Sequence, residues 1–178
     1  MVDVYLWWAD LADAHVDLVD LLDETERNRL ADLDLPADRA RFLLGAALLR
    51  TAVAPSVGTA PAQVRIDRTC AECGGPHGQP VVTGGPHVSV SHSGVQVVVA
   101  TCVKAKVGVD VQRVADMAGA DPVGWTRQES RFKAHGARHG GEPSTTTDLE
   151  APRPGYAAAL TVAAVGAPHL HTTDRVPI

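Results

Sequence analysis

The stretch HVSVSHSGVQVVVATCVKAKVGVDVQ, residues 87–112, decides the fold. From His87 to His92 apolar and polar residues alternate with a period of two, the pattern of a strand with one buried face. Val95 to Val103 is a β-branched run suited to a strand buried on both faces. Lys104-Ala105 then reads as a turn that sends Lys106 to Val111 back as a further strand, so this part of the chain is expected to be antiparallel sheet.

Working outward, Val2, Val4 and Leu6 alternate with Asp3 and Tyr5 and lead into Trp7 and Trp8, which predicts a first strand. His15 to about Leu33 is rich in Leu and Asp and suits one or two helices. Pro36 fits a first helical turn. Phe42, Leu43, Leu44, Ala47, Leu48 and Thr51 then form a helical stripe that ends near Pro55. Thr59 to Pro80 is a connector holding a short strand over Gln63 to Arg68. Asp121-Pro122 opens a helix that runs through Trp125, Glu129 and Phe132 to about Ala134. His135 to Gly155 is dense in Gly, Pro, Ser and Thr and is expected to be a loop. Tyr156 to Val165 reads as a last apolar strand and Pro168 to Ile178 as a tail. Helices set against antiparallel sheet give the class α+β.

Composition bounds the function. The 178 residues suffice for one domain or two small packed halves, and the 45% hydrophobic content can fill a core. The formal net charge of -5 argues against a general nucleic-acid binder, so an anion site here must be a local cluster of Arg, His and Lys. Cys70, Cys73 and Cys102 do not make a disulfide framework. Met1 to Leu11 lacks the basic region of a signal peptide, and no apolar run approaches the roughly 20 residues that span a bilayer. A reducing cytoplasm, with no nucleic-acid or membrane partner, is the expectation.

Four constellations can carry chemistry. Ser89-Val-Ser91-His92-Ser-Gly94 puts hydroxyls, an imidazole and a glycine at a strand end, where they can hold a phosphate or simply form a polar turn. Asp110 and Gln112 share one face of a strand, where two oxygen donors can hold a hard cation such as Mg2+ or face solvent. Glu129 and Lys133 share a helix face, either as a surface ion pair or as a carboxylate beside a cation that meets phosphate charge. Arg39 and Arg41 precede the apolar stripe, where arginines can grip a phosphate or stay solvated.

In order and spacing these constellations resemble the Sfp-type 4'-phosphopantetheinyl transferases over about Arg39 to Lys133. The resemblance rests on Arg41-Phe-Leu-Leu-Gly-Ala-Ala-Leu-Leu-Arg50, on Cys70-Ala-Glu-Cys-Gly-Gly-Pro-His-Gly-Gln-Pro80, on Ser89-Val-Ser-His-Ser-Gly94, on Val107-Gly-Val-Asp-Val111, and on Trp125-Thr-Arg-Gln-Glu129 with Lys133. It implies two similar α+β halves, 1–103 and 104–178, with the second reduced. It implies a site in the cleft between them that takes coenzyme A as substrate with Mg2+, and transfer of the 4'-phosphopantetheine group to a serine of an acyl or peptidyl carrier protein. Metal ligands would be Asp110, Gln112 and Glu129. Glu129 and Lys133 would be catalytic, and Arg39, Arg41, His77, Gln79, Ser91 and His92 would contact coenzyme A. The chain would act as a monomer, in secondary metabolism.

The sequence departs from the family pattern in four places. Gln112 stands for the usual Glu of an Asp-x-Glu pair, Gln79 for the usual Lys of Gly-Lys-Pro, and Gln128 for the usual Lys. Only Arg113 to Gly124 separates the Asp motif from the Trp motif, a shorter segment than the family has. A non-catalytic relative that binds coenzyme A or a carrier protein is the competing expectation. Cys70-x-x-Cys73 with His77 and His87 nearby offers a zinc reading, although it supplies one cysteine pair where a structural site often has two.

Overall fold

The computed structural model describes residues 1–136 and 142–173. The fold is α+β. Its first strand, β1 (Asp3–Asp10), is followed by two short 3-10 turns and then by α1 (Glu24–Ala31) and α2 (Pro36–Val57). A minor hairpin pairs β2 (Ile66–Asp67) with β3 (Val81–Val82). Then come β4 (His87–Ser93), β5 (Gln96–Cys102), β6 (Val107–Arg113), α3 (Pro122–His135), β7 (Thr145–Leu149), β8 (Tyr156–Val162) and β9 (His169–Thr173).

Two main sheets carry the structure. One has the order β4-β5-β1-β9, and the other β6-β8-β7. The β4–β5 hairpin is antiparallel, as the alternation implies, with Val90 opposite Val99. The expected continuation is corrected: β6 does not pair with β5 but leaves to become an edge of the second sheet. Lys104-Ala105 is therefore a crossing between sheets, and Ala105 is buried at that crossing.

Side-chain alternation builds two cores from one sheet. Val97 and Val99 of β5 face α2, alongside Leu44, Leu48 and Val53. Val98, Ala100 and Cys102 face the other way, against Val107, Val109, Val111 and Leu160 of the second sheet. Successive strand residues point to opposite faces, so the β-branched run of β5 fills both cores at once. Across the second sheet lies α3, and its stripe of Thr126, Ser130 and Ala134 is buried. Gly108 permits that approach, because a Cβ there would lie 2.0 Å from the Ser130 carbonyl oxygen.

Two further expectations are corrected. The stretch His135 to Gly155 is not all loop, for it contains β7, which pairs with β8. Its residues 137–141 lie outside the described residues, as do residues 174–178 of the expected tail. The start of that tail is β9, which runs parallel to β1 and so joins the first sheet. Segment 113–124, read as short, forms a single 3-10 turn over Val114–Met117 before α3 begins.

By length and composition α2 passes as a membrane span, contrary to the sequence expectation, yet 61% of its apolar window is buried inside the protein. It is the core helix. It also carries Arg50, which is wholly buried. The guanidinium donates to Glu26 Oε2 at 2.8 Å, to Asp23 Oδ2 at 2.7 Å and to the Val64 carbonyl at 2.8 Å. These partners lie at the start of α1 and in the connector after α2, so one side chain ties three segments together. Removing one member of a buried, hydrogen-bonded ion cluster leaves uncompensated charge. Arg50→Ala is accordingly expected to lower unfolding stability by about 3–5 kcal/mol, measured by urea denaturation followed by circular dichroism.

Candidate functional site

Strand β6 is an edge of its sheet, so every second amide points away from β8 and needs another acceptor. Serines of β4 supply it. Ser89 Oγ accepts from Val109 N–H at 3.0 Å, Ser91 Oγ from Val111 N–H at 3.2 Å, and Ser93 Oγ from Arg113 N–H at 2.9 Å. Each pair is 20 residues apart, and that constant offset means the two strands run parallel along the seam. Val88 and Val90, on the alternate positions, face the α2 core. The Val-Ser-Val-Ser alternation thus serves the core with one face and the seam with the other.

Asp110 sits on this seam and is 6% exposed. Its Oδ1 accepts from Ser91 Oγ at 2.8 Å and from Lys133 Nζ at 2.7 Å. Lys133, in the last turn of α3, also donates to the carbonyls of Val109 at 3.0 Å and Val90 at 3.3 Å. Its three N–H donors are thereby spent on both seam strands and the aspartate. Glu129 lies half-buried one turn earlier on α3, on the same helix face. Gln112 shares the Asp110 face of β6, and its amide nitrogen donates to the Arg113 carbonyl at 3.3 Å.

Arg41 approaches from α2. It donates to the Gly94 carbonyl at 2.9 Å and pairs with Asp38 at 2.5 Å. His92 stands at the same strand end. Desolvation by the surrounding protein, then the positive charges of Arg41 and Lys133, hold its imidazole pKa below the ordinary value of 6.5. His92 is nonetheless solvent-accessible, so the two cations are the firmer cause. Arg39, two residues from Arg41, is turned roughly 200° around the helix. It lines a separate groove with Ala14, Val19 and Leu30.

His77 and Gln79 meet Lys133 in a cleft of about 190 Å³ beside the start of β4. Arg68, which the sequence reading placed in a short strand and gave no role, lines the same cleft. Its Nε has no hydrogen-bond partner among the described residues, and burial pulls its pKa below the ordinary arginine value. Lys133 and Ser89 are common to the seam and the cleft. Of the expected site residues, the structure therefore brings Ser91, Asp110 and Lys133 into one hydrogen-bonded cluster, with Arg41 and His92 beside it. It sets His77 and Gln79 across the cleft and Arg39 elsewhere.

No family model matches this sequence, and neither does any curated protein.

The residues alone therefore define the site as basic, with one buried carboxylate. Arg68 and Ser89 went unassigned in the sequence reading for different reasons. A lone arginine in a connector carries no pattern, whereas Ser89 was visible as the first member of the serine alternation. Replacing that hydroxyl leaves a buried amide without an acceptor, which costs about 1–3 kcal/mol. Ser89→Ala should show that loss in chemical denaturation. The electrostatic reading has its own check. Removing a neighbouring cation favours the protonated imidazole. In Arg41→Gln the His92 pKa is expected to rise, followed by NMR titration; an unchanged value would remove Arg41 from its surroundings.

Proposed function

We propose that this protein is a 4'-phosphopantetheinyl transferase of the Sfp type, moving the phosphopantetheine arm of coenzyme A to a serine of an acyl or peptidyl carrier protein. The observation that carries the proposal is the convergence of Ser91, Asp110 and Lys133, residues of three sequence motifs, in one cluster that opens onto a basic cleft. A substrate with a pyrophosphate and a 3'-phosphate needs several fixed cations in a small space. Lys133 and Arg68 supply such charge in the cleft and Arg41 supplies it at the other end of β4, with His77 and His92 placed beside them as imidazole hydrogen-bond partners.

The donor types suit a hard divalent cation. Asp110 Oδ1 takes both of the bonds described above, so Oδ2 is the oxygen left for an ion. The Gln112 amide oxygen and the Glu129 carboxylate would complete an all-oxygen set suited to Mg2+. When bound, Mg2+ would neutralise pyrophosphate charge. Gln112 gives this set one negative charge fewer than an Asp-x-Glu pair.

The chain's own groups take the remaining roles. The carrier serine Oγ attacks the phosphorus that bears the pantetheine arm, and the P–O bond to 3',5'-ADP breaks. Glu129 accepts the serine proton. The leaving phosphate oxygen keeps the bond electrons, and the Lys133 ammonium meets that charge. Lys133 can release its longest contact, the Val90 carbonyl, to do so. The ordinary workplace for such chemistry is the cytoplasm, with the protein acting as a monomer.

The test is incubation with coenzyme A, Mg2+ and a panel of apo carrier proteins, with the carriers weighed by mass spectrometry. Addition of one phosphopantetheine unit is expected, and Glu129→Gln should slow it by about 100-fold or more. Coenzyme A binding without transfer to any carrier would favour the non-catalytic relative. Absence of both binding and transfer would end the family reading.

A further inference from the structure

We propose that Cys70, Cys73 and His77 together bind a zinc ion, at a site distinct from the oxygen donors of the seam; it shares His77 with the proposed coenzyme A cleft but does not rest on the transferase reading. The three donor atoms lie within 4.8 Å of one another. Cys73 Sγ stands 2.9 Å from His77 Nε2. In a tetrahedral site with Zn–S about 2.3 Å and Zn–N about 2.0–2.1 Å, that pair would open to roughly 3.5 Å. For that pair the change is about 0.6 Å, in an exposed loop.

The loop is already shaped for thiolates. The Gly75 amide donates toward Cys73 Sγ at 3.4 Å. Amide dipoles aimed at sulfur favour the negative form, which is the one that ligates metal. Gly74, directly after the second cysteine, has φ +72, a conformation that suits glycine. This turn brings the Gly75 amide back toward the sulfur. The Gly74 amide donates to the Cys70 carbonyl at 2.9 Å, and the Cys70 amide to the Gly75 carbonyl at 2.8 Å, which closes the turn.

A second observation says why an ion is needed. None of the residues 70–80 is buried. A segment with no apolar core of its own is commonly held by a cross-link or a metal. The cysteines are unbridged in this structure, so the metal is the available fastening. Two thiolates and an imidazole suit zinc better than a hard cation. Binding releases the two thiol protons to solvent. Water takes the fourth position, since Cys73 and His77 are both exposed. Zinc on Nε2 leaves Nδ1 of His77 as a fixed N–H donor, and it anchors the loop that carries Gln79 to the cleft.

The experiment uses the full chain, expressed with zinc in the medium and purified under reductant without chelator. Plasma mass spectrometry is expected to find about one zinc per chain, as a single site requires. Exchange to Co2+ should add thiolate charge-transfer absorption and the d–d bands of a tetrahedral ion. Cys73→Ser should lose the metal, and Cys102→Ala and His171→Ala should keep it. Should Cys73→Ser fail to fold by circular dichroism, His77→Asn, a substitution at an exposed position, reads the same site through at least a tenfold loss of Zn2+ affinity against a chromophoric chelator. The proposal is overturned if the reduced wild-type chain takes up no Zn2+. It is equally overturned if His171→Ala rather than Cys73→Ser or His77→Asn loses the ion, because that would place the metal on the Asp3–His169–His171 cluster.

Discussion

The structure depends on hydroxyl-to-amide contacts along the seam between β4 and β6. Two sheet edges meet there, and edges carry unpaired amides that must be satisfied. A continuous backbone ladder would have merged the two sheets into one. Serine side chains instead bridge the gap at every second residue, which keeps the sheets separate while spending the edge amides of Val109, Val111 and Arg113. The same spacing exposes Asp110 to α3 and leaves His92 outward. Core packing, edge protection and site placement therefore share one short alternating sequence.

Lys133 couples that seam to the chemistry. A chain of net charge -5 has no long-range attraction for a polyanion, so any anion must be held by near neighbours. Lys133 belongs to both neighbourhoods, through Asp110 on one side and the cleft with Arg68 on the other. Its side chain is 23% exposed, enough to meet a ligand without leaving its aspartate. Arg68 differs, because its charge is largely buried with no bonded partner at Nε among the described residues. Such a group raises the energy of the empty cleft and lowers it when an anion arrives.

Much of this was legible beforehand where a residue pattern had two distinct faces. The Val-Ser alternation of β4, the valine run of β5 and the leucine stripe of α2 each bury what their periods say they should. β7 and β9 were missed because they are edge strands. Thr145 to Leu149 and His169 to Thr173 are mostly half-exposed, so no apolar alternation marks them. The return of β6 to the first sheet was misjudged for another reason. A strand's period does not name its partner, and Lys104-Ala105 serves a crossing as well as a hairpin. At the site, the residue types of Ser91, Asp110 and Lys133 were readable, whereas Arg68 and the buried Arg50 network depend on contacts between distant segments.

The parallel pairing of β1 with β9 has a consequence for how the chain is made. Asp3 lies beside His169, so one side of the first strand stays bare until about 160 further residues have emerged from the ribosome. During synthesis, β1 can pair with β5 but must hold its other flank open. Sequence-distant pairing of this kind slows assembly, and a waiting strand edge invites other chains. The half-exposed, histidine-rich β9 is a weakly apolar cap for that flank, and its late arrival sets the moment at which the nascent protein becomes safe from association.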